Sequence, residues 1–193
     1  MTVPLTADRR LRLVVMGVSG CGKSTLGQAL AERLRLSMVD GDDLHLPESI
    51  RKMSSGIALD DDDRWPWLDR IGEYLASGGE PQHAGCVVAC SALKRAYRDR
   101  IRAHCPGVRF VFLHGDAATI GQRMAQRVGH YMRPGLLESQ LRTLEVPAAD
   151  ETDVVHLDIH CPVADLVEQV LRALAAAPVR KASQLAESPS GIE

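Results

Sequence analysis

The sequence predicts an α/β domain with a parallel sheet of five strands. Short apolar runs, rich in valine and isoleucine and not strictly alternating, recur along the chain, as strands covered on both faces require. Between them apolar residues fall at helical spacing, and strand–helix alternation of this kind builds a parallel sheet. The length agrees: 193 residues make one ordinary domain, expected over residues 1–177.

The first strand is Leu11–Met16 (LRLVVM), and Leu26, Leu30 and Leu34 mark the helix after it. Ser37–Asp40 forms the second strand. Residues 42–67 then break the rhythm with a long polar stretch, and long connections in compact domains are usually functional or disordered. Leu68, Ile71 and Leu75 mark the next helix, with Pro66 between Trp65 and Trp67 at its start. The third strand is Cys86–Cys90, followed by a basic helix over Lys94–Arg102. Arg109–Leu113 is the fourth strand. Ile120 with Met124, then Leu137, Leu141 and Leu144, mark two helices separated by residues 127–135, where charge, glycine and proline interrupt the pattern. Val154–Ile159 is the last strand. Val163, Leu166, Val167, Val170, Leu171 and Leu174 stripe the final helix, with Pro162 at its first turn. Residues 178–193 carry few large apolar side chains and read as a frayed tail.

Composition removes several function classes. Lys plus Arg is 23 and Asp plus Glu is 25, a net charge of −2, unlike the strongly basic balance of a nucleic-acid binder. Two Phe, two Trp and three Tyr are too few for a base-stacking platform. No apolar run approaches the roughly 18 residues of a membrane span, and the early arginines stand where a signal peptide would be apolar. The expected location is cytoplasmic, with neither nucleic acid nor membrane as partner. Five cysteines at scattered spacings, without a CxxC pair, argue against a disulfide framework or structural zinc. Cys86 and Cys90 read as small core residues.

Gly17-Val18-Ser19-Gly20-Cys21-Gly22-Lys23-Ser24 matches G-x-x-x-x-G-K-[ST] in full, with a strand before it and a helix after it. Glycines let the backbone fold so that its N–H groups and the helix N-terminus surround phosphates. Lys23 is placed to reach the β- and γ-phosphates, and the Ser24 hydroxyl to ligate Mg²⁺. These residues with Thr25 form the expected ATP site. Cys21 occupies a permissive loop position and receives no chemistry. The CVVAC strand ends without a carboxylate, so Asp40, closing the second strand, is the candidate second metal ligand.

Asp40-Gly41-Asp42 follows that strand, and open parallel sheets gather ligands at carboxyl ends. Two carboxylates at this spacing can divide labour: Asp40 holding Mg²⁺, Asp42 accepting a proton from an attacking hydroxyl or orienting it. An ordinary capped Asp-Gly turn explains the same spacing.

The segments beyond are more specific. Asp42-Asp43-Leu44-His45-Leu46-Pro47, Lys52-Met53-Ser54-Ser55-Gly56, Asp61-Asp62-Asp63-Arg64-Trp65-Pro66-Trp67-Leu68, Cys90-Ser91-Ala92-Leu93-Lys94-Arg95-Ala96-Tyr97-Arg98-Asp99, Gly129-His130-Tyr131-Met132 and Leu137-Glu138-Ser139-Gln140-Leu141-Arg142-Thr143-Leu144-Glu145 occur in this order. The series resembles the gluconate kinase family, with D-G-D-x-L-H-P, K-M-x-x-G-x-P-L, D-x-D-R-x-P-W-L, C-S-A-L-K-x-x-Y-R-D, G-H-F-M and L-x-S-Q-x-x-T-L-E. Leu46, Ser49, Ala58, Tyr131 and Arg133 depart from the pattern without touching the phosphate-transfer residues.

The resemblance implies a three-layer α/β/α P-loop kinase fold with a helical lid at residues 127–135 and a substrate-binding insertion at 42–67. It implies ATP-dependent phosphorylation of D-gluconate at its 6-hydroxyl, with Lys23, Asp42 and Arg127 catalytic. Arg64 offers a bidentate fork for the gluconate carboxylate, with a surface ion pair to Asp60–Asp63 as the lesser alternative. His45, Lys52, Lys94, Arg98, His130 and Gln140 complete the expected acceptor contacts, beside Asp42. Arg123 and Arg127, four apart on one helix face, lead into the lid and join the ATP site. The implied cofactors are ATP and Mg²⁺, the implied partner is the small-molecule acceptor, and a homodimer is left open. Two rivals stand beside this reading: a kinase for another small anionic acceptor such as shikimate, and a nucleotide-binding regulatory module without transfer activity.

Overall fold

Apolar runs that the sequence marks as strands pair side by side in the computed structural model, which describes residues 10–126 and 135–176. Arg127, His130, all of the expected lid except Gly135, and the expected tail lie outside the described residues. Strands β1 (Leu11–Met16), β2 (Ser37–Asp40), β3 (Gly85–Ala89), β4 (Arg109–His114) and β5 (Val154–Asp158) form one five-stranded sheet in the order β2-β3-β1-β4-β5. Every pairing is parallel. All carboxyl ends therefore share one edge, and the loops that follow β1, β2 and β3 meet there.

Alternation along β1 divides the core. Leu13 and Val15 pack with Leu26 and Leu30 of α1 (Lys23–Leu34) and with Leu166, Val167 and Val170 of α7 (Val163–Ala176). Val14 and Met16 point the other way, into Leu68, Ile71 and Leu75 of α3 (Asp61–Ser77) and Tyr97 and Ile101 of α4 (Arg95–His104). All four β1 residues are fully buried, and each such side chain contributes roughly 1.5–3 kcal/mol by leaving water. Helices on both faces make the three-layer α/β/α arrangement. The remaining helices are α2 (Pro47–Ser54), α5 (Ala117–Ala125) and α6 (Leu136–Thr143).

The expected polar stretch 42–67 holds more regular structure than its composition suggests. It contains α2, which starts on Pro47, and the first turns of α3. Helix α3 begins at Asp61 and not at Pro66, because Asp60 and Asp63 form a reciprocal capping box. Each side chain satisfies the other's backbone N–H. Pro66 sits inside the helix and removes a single hydrogen bond, which the cap and the buried Trp67 and Leu68 offset.

Candidate active site

Gly22 ends the loop after β1 in a left-handed conformation (φ 104°) and starts α1 at Lys23. Lys23 Nζ donates to the Val18 carbonyl of its own loop at 3.1 Å. Ser24, one residue into the helix, donates its hydroxyl to Asp40 Oδ2 at 3.1 Å. The register that sets Asp40 opposite Ala89 carries this carboxylate to the loop. Its other oxygen accepts from the Asp42 N–H at 3.1 Å and caps the 3₁₀ turn Gly41–Leu44. Asp40 thus serves the capped turn and faces Ser24 at once. A hydroxyl beside one carboxylate suits Mg²⁺, which takes few protein ligands and fills the rest with water and phosphate oxygens.

Gly41 is held at close quarters. A Cβ there would stand 2.8 Å from the Ala89 carbonyl oxygen, and Trp67 Nε1 donates to the Gly41 carbonyl at 2.6 Å. That anchor fixes Asp42 at the edge of the cleft. Desolvation there, followed by the charge of Asp40, pushes the Asp42 carboxyl above its ordinary range, while Lys23 pulls it down.

A cavity of about 240 Å³ opens beside the loop, lined by Gly20, Cys21, Gly22, Thr25, Arg123 and Cys161 among others. Arg123 Nη2 donates to the Ile159 carbonyl at 2.7 Å and so braces the loop after β5 against α5. The Cys21 thiol is buried, which raises its pKa.

A second group of side chains lies around Trp67 and the first turns of α3. His45 is 7% exposed and stacks on Trp67, centroids 4.3 Å apart and planes at 12°. Its Nδ1 is buried without a hydrogen-bond partner among the described residues. Burial, then Arg64 and Arg70, lower its pKa to about 4, so the ring is neutral at pH 7. Arg64 Nη1 lies 3.4 Å from the Tyr97 hydroxyl and 3.5 Å from Asp61. Lys94, at the start of α4, donates to both Asp61 oxygens at 2.7 and 2.9 Å, and the Tyr97 hydroxyl donates to the same carboxylate. Two cations share one carboxylate, leaving a net positive charge. The expected Arg64 ion pair is therefore present, but as part of a cluster that retains capacity for an anion.

Other expected acceptor contacts fall elsewhere. Lys52 pairs with Asp63 at 2.5 Å and ties α2 to the head of α3. Arg98 is a correction: its side chain is 1% exposed, and Glu151 takes its Nε and Nη2 at 2.7 and 2.6 Å. Its Nη1 donates to the carbonyls of Ala92, Leu93 and Glu145. A guanidinium so enclosed is paired away from the cleft, and it ties the turn that precedes α4 to Glu151. Gln140 contacts the phosphate loop, its Oε1 accepting from the Ser19 N–H at 2.6 Å. Sequence reasoning assigned no site role to Tyr97 or Glu151, and placed Asp61 only among the aspartates that could pair with Arg64. Tyr97 stands shortly after the C-S-A-L-K run, and its place in a helical apolar stripe hid the hydroxyl.

The profile of the shikimate kinase family matches residues 19–175. The chain is 45% identical over 163 residues to the thermosensitive gluconokinase of Escherichia coli (strain K12), spanning 84% of this chain and 87% of that protein. A crystal structure of a gluconokinase from Sinorhizobium meliloti 1021 superposes with a TM-score of 0.76 at 50% identity, covering 86% of this chain and 93% of that one. The APS kinase of Mycobacterium tuberculosis, at 15% identity and a TM-score of 0.60 over 88% of this chain and all (100%) of that one, shares the fold alone. A phosphate loop and a cationic cluster on one sheet edge, with relatives of this identity over most of the chain, place it in the gluconokinase family, on a domain of the shikimate kinase type.

Proposed function

We propose that this chain is an ATP-dependent gluconokinase, transferring the γ-phosphoryl group of ATP to the 6-hydroxyl of D-gluconate to give 6-phospho-D-gluconate and ADP. The observation that carries the proposal is the order of groups along the sheet edge. Asp42 follows β2, Lys94 with Arg64 beside it on Asp61 follows β3, and the phosphate loop follows β1, three neighbouring strands of the sheet. An anionic acceptor held by its carboxylate can therefore reach both Asp42 and the loop. In the gluconokinase relatives the match extends over most of both chains.

The backbone N–H groups of the loop and Lys23 bind the triphosphate, Lys23 leaving the Val18 carbonyl for the phosphates. Thr25 and Arg123 line the cavity beside them, and Arg127, as the family pattern implies, adds charge to the transferring group. Ser24 and Asp40 would hold Mg²⁺, which supplies charge neutralisation at the phosphates when bound. Arg64 and Lys94 take the carboxylate, while neutral His45 faces the hydroxylated chain and His130, as the family pattern implies, adds a further acceptor contact. The 6-oxygen then forms its bond to phosphorus as the bond to ADP breaks. Its proton passes to Asp42, whose carboxyl desolvation and Asp40 hold above the ordinary carboxylate range and so make a stronger base. Positioning and electrostatics supply most of the rate.

An acceptor panel with coupled ADP release tests the assignment. Gluconate should drive turnover, with shikimate and uncharged polyols far behind. Turnover with shikimate in place of gluconate, or nucleotide binding without acceptor-dependent turnover, would refute it.

A further inference from the structure

The phosphate loop is met by a side chain from far along the chain. Gln140 of α6 accepts from the Ser19 N–H across 121 positions of sequence. A backbone N–H only donates, so the atom facing it is the carbonyl oxygen, and the orientation of the amide is thereby fixed. Its Nε2 keeps two donors with no partner among the described residues, on a half-buried side chain. Ser19 lies between Gly17 and Gly22, where backbone N–H groups cradle phosphate. The far end of α6 is anchored independently of the loop. The Glu145 N–H donates to the Leu93 carbonyl at 2.9 Å, its Oε2 accepts from the Arg95 N–H at 2.7 Å, and its carbonyl accepts from Arg98 at 3.1 Å. Gln140 is thus carried to the loop on a helix whose exit is pinned to the start of α4.

We infer that Gln140 reads the terminal phosphate: oriented through Ser19, it offers its Nε2 donors to the γ-phosphoryl group of the bound triphosphate. This rests on the reading of the site as a nucleotide-dependent kinase. Gln140 distinguishes triphosphate from diphosphate and steadies the group in transfer, when charge on its oxygens is greatest. The side chain acts on the phosphate and not on the acceptor.

Titration calorimetry with Mg·ADP and with the Mg·β,γ-imido analogue of ATP, without acceptor, tests the inference on wild type, Gln140→Glu and Gln140→Leu. Glutamate keeps an oxygen for Ser19 but replaces the donors with negative charge. It should weaken the analogue relative to ADP by about tenfold or more, with leucine intermediate. Steady-state kinetics with gluconate should show kcat lowered about tenfold or more in both variants and the gluconate KM within about twofold. An unchanged analogue-to-ADP ratio with a raised gluconate KM would put Gln140 on the acceptor. An unchanged ratio and kcat with a lowered melting temperature would reduce it to a structural clip. The calorimetric arm contains no acceptor, so it still tests Gln140 even if gluconate proves not to be the substrate.

Discussion

Asp40 and Asp42 stand two apart at the end of β2, yet their surroundings assign them different work. Asp40 takes the Ser24 hydroxyl and caps the turn, while Asp42 has its carboxyl raised by desolvation and by Asp40. Asp42→Asn should lower kcat about 10²–10⁴-fold, the range of general-base catalysis, with Mg·ATP affinity nearly unchanged. The acid limb of the kcat profile should report a pKa above the ordinary carboxylate range. Activity appears as the pH rises through it, and the limb should vanish in the variant. Asp40→Asn should instead raise the Mg²⁺ concentration needed for half activity. Metal and gluconate titrations of both variants separate the two roles, and identical defects would contradict them. Lys23→Ala in a folded protein should cost about 10²-fold or more in kcat. Arg64→Ala should raise the gluconate KM far more than the ATP KM, by the roughly 1.5–3 kcal/mol of a hydrogen bond to a charged group.

Helix α4 shows which parts of the site were legible in the sequence. The placement of Lys23 and Ser24 at the head of α1 was, because a glycine-rich loop between strand and helix is local chemistry. Asp40 at the end of β2 was open between a metal ligand and a turn cap, and it does cap the turn while facing Ser24. Lys94 and Arg98 looked alike, two cations near the end of β3. Only the fold separates them: Asp61 meets Lys94 at the cleft, and Glu151, 53 residues from Arg98 in sequence, encloses Arg98 behind it. No local pattern encodes a partner that distant. The four aspartates before Trp65 were ambiguous for another reason, since one composition serves a solvated loop and a helix cap. The strands were legible almost to the residue, because burial on both faces leaves a continuous apolar run. Arg98→Ala should therefore act on stability and not on the gluconate KM. It leaves the buried Glu151 carboxylate with Arg102 as its remaining cation among the described residues, so the loss should reach at most the roughly 3–5 kcal/mol of a broken buried ion pair. Chemical denaturation beside steady-state kinetics checks this: a folded variant of unchanged stability with a raised gluconate KM would return Arg98 to the acceptor site.

At the scale of the whole molecule, pH couples the acceptor side to stability through His45. Its pKa falls from 6.5 to about 4 on folding, so the unfolded chain binds the proton first and stability declines as pH drops across that interval. His156 is lowered too and acts in the same direction, while His160, raised by Asp158, opposes them. Carboxylates such as Glu151, held near 2 by Arg98 and Arg102, lose their contribution only below about 4.5. His45→Phe keeps a ring against Trp67 and removes the titration. Its melting temperature should fall less than that of wild type between pH 6.5 and 4, and parallel curves would contradict the buried neutral ring. The function proposed for the site is one event, transfer of a phosphoryl group to the 6-hydroxyl of gluconate. Incubation with Mg·ATP and gluconate labelled with ¹³C at carbon 6, followed by ¹³C and ³¹P NMR, tests it most directly. The expected product is a phosphomonoester whose phosphorus couples to the labelled carbon, formed together with ADP. Phosphate esterified at another position, or inorganic phosphate released with gluconate left unchanged, would contradict it.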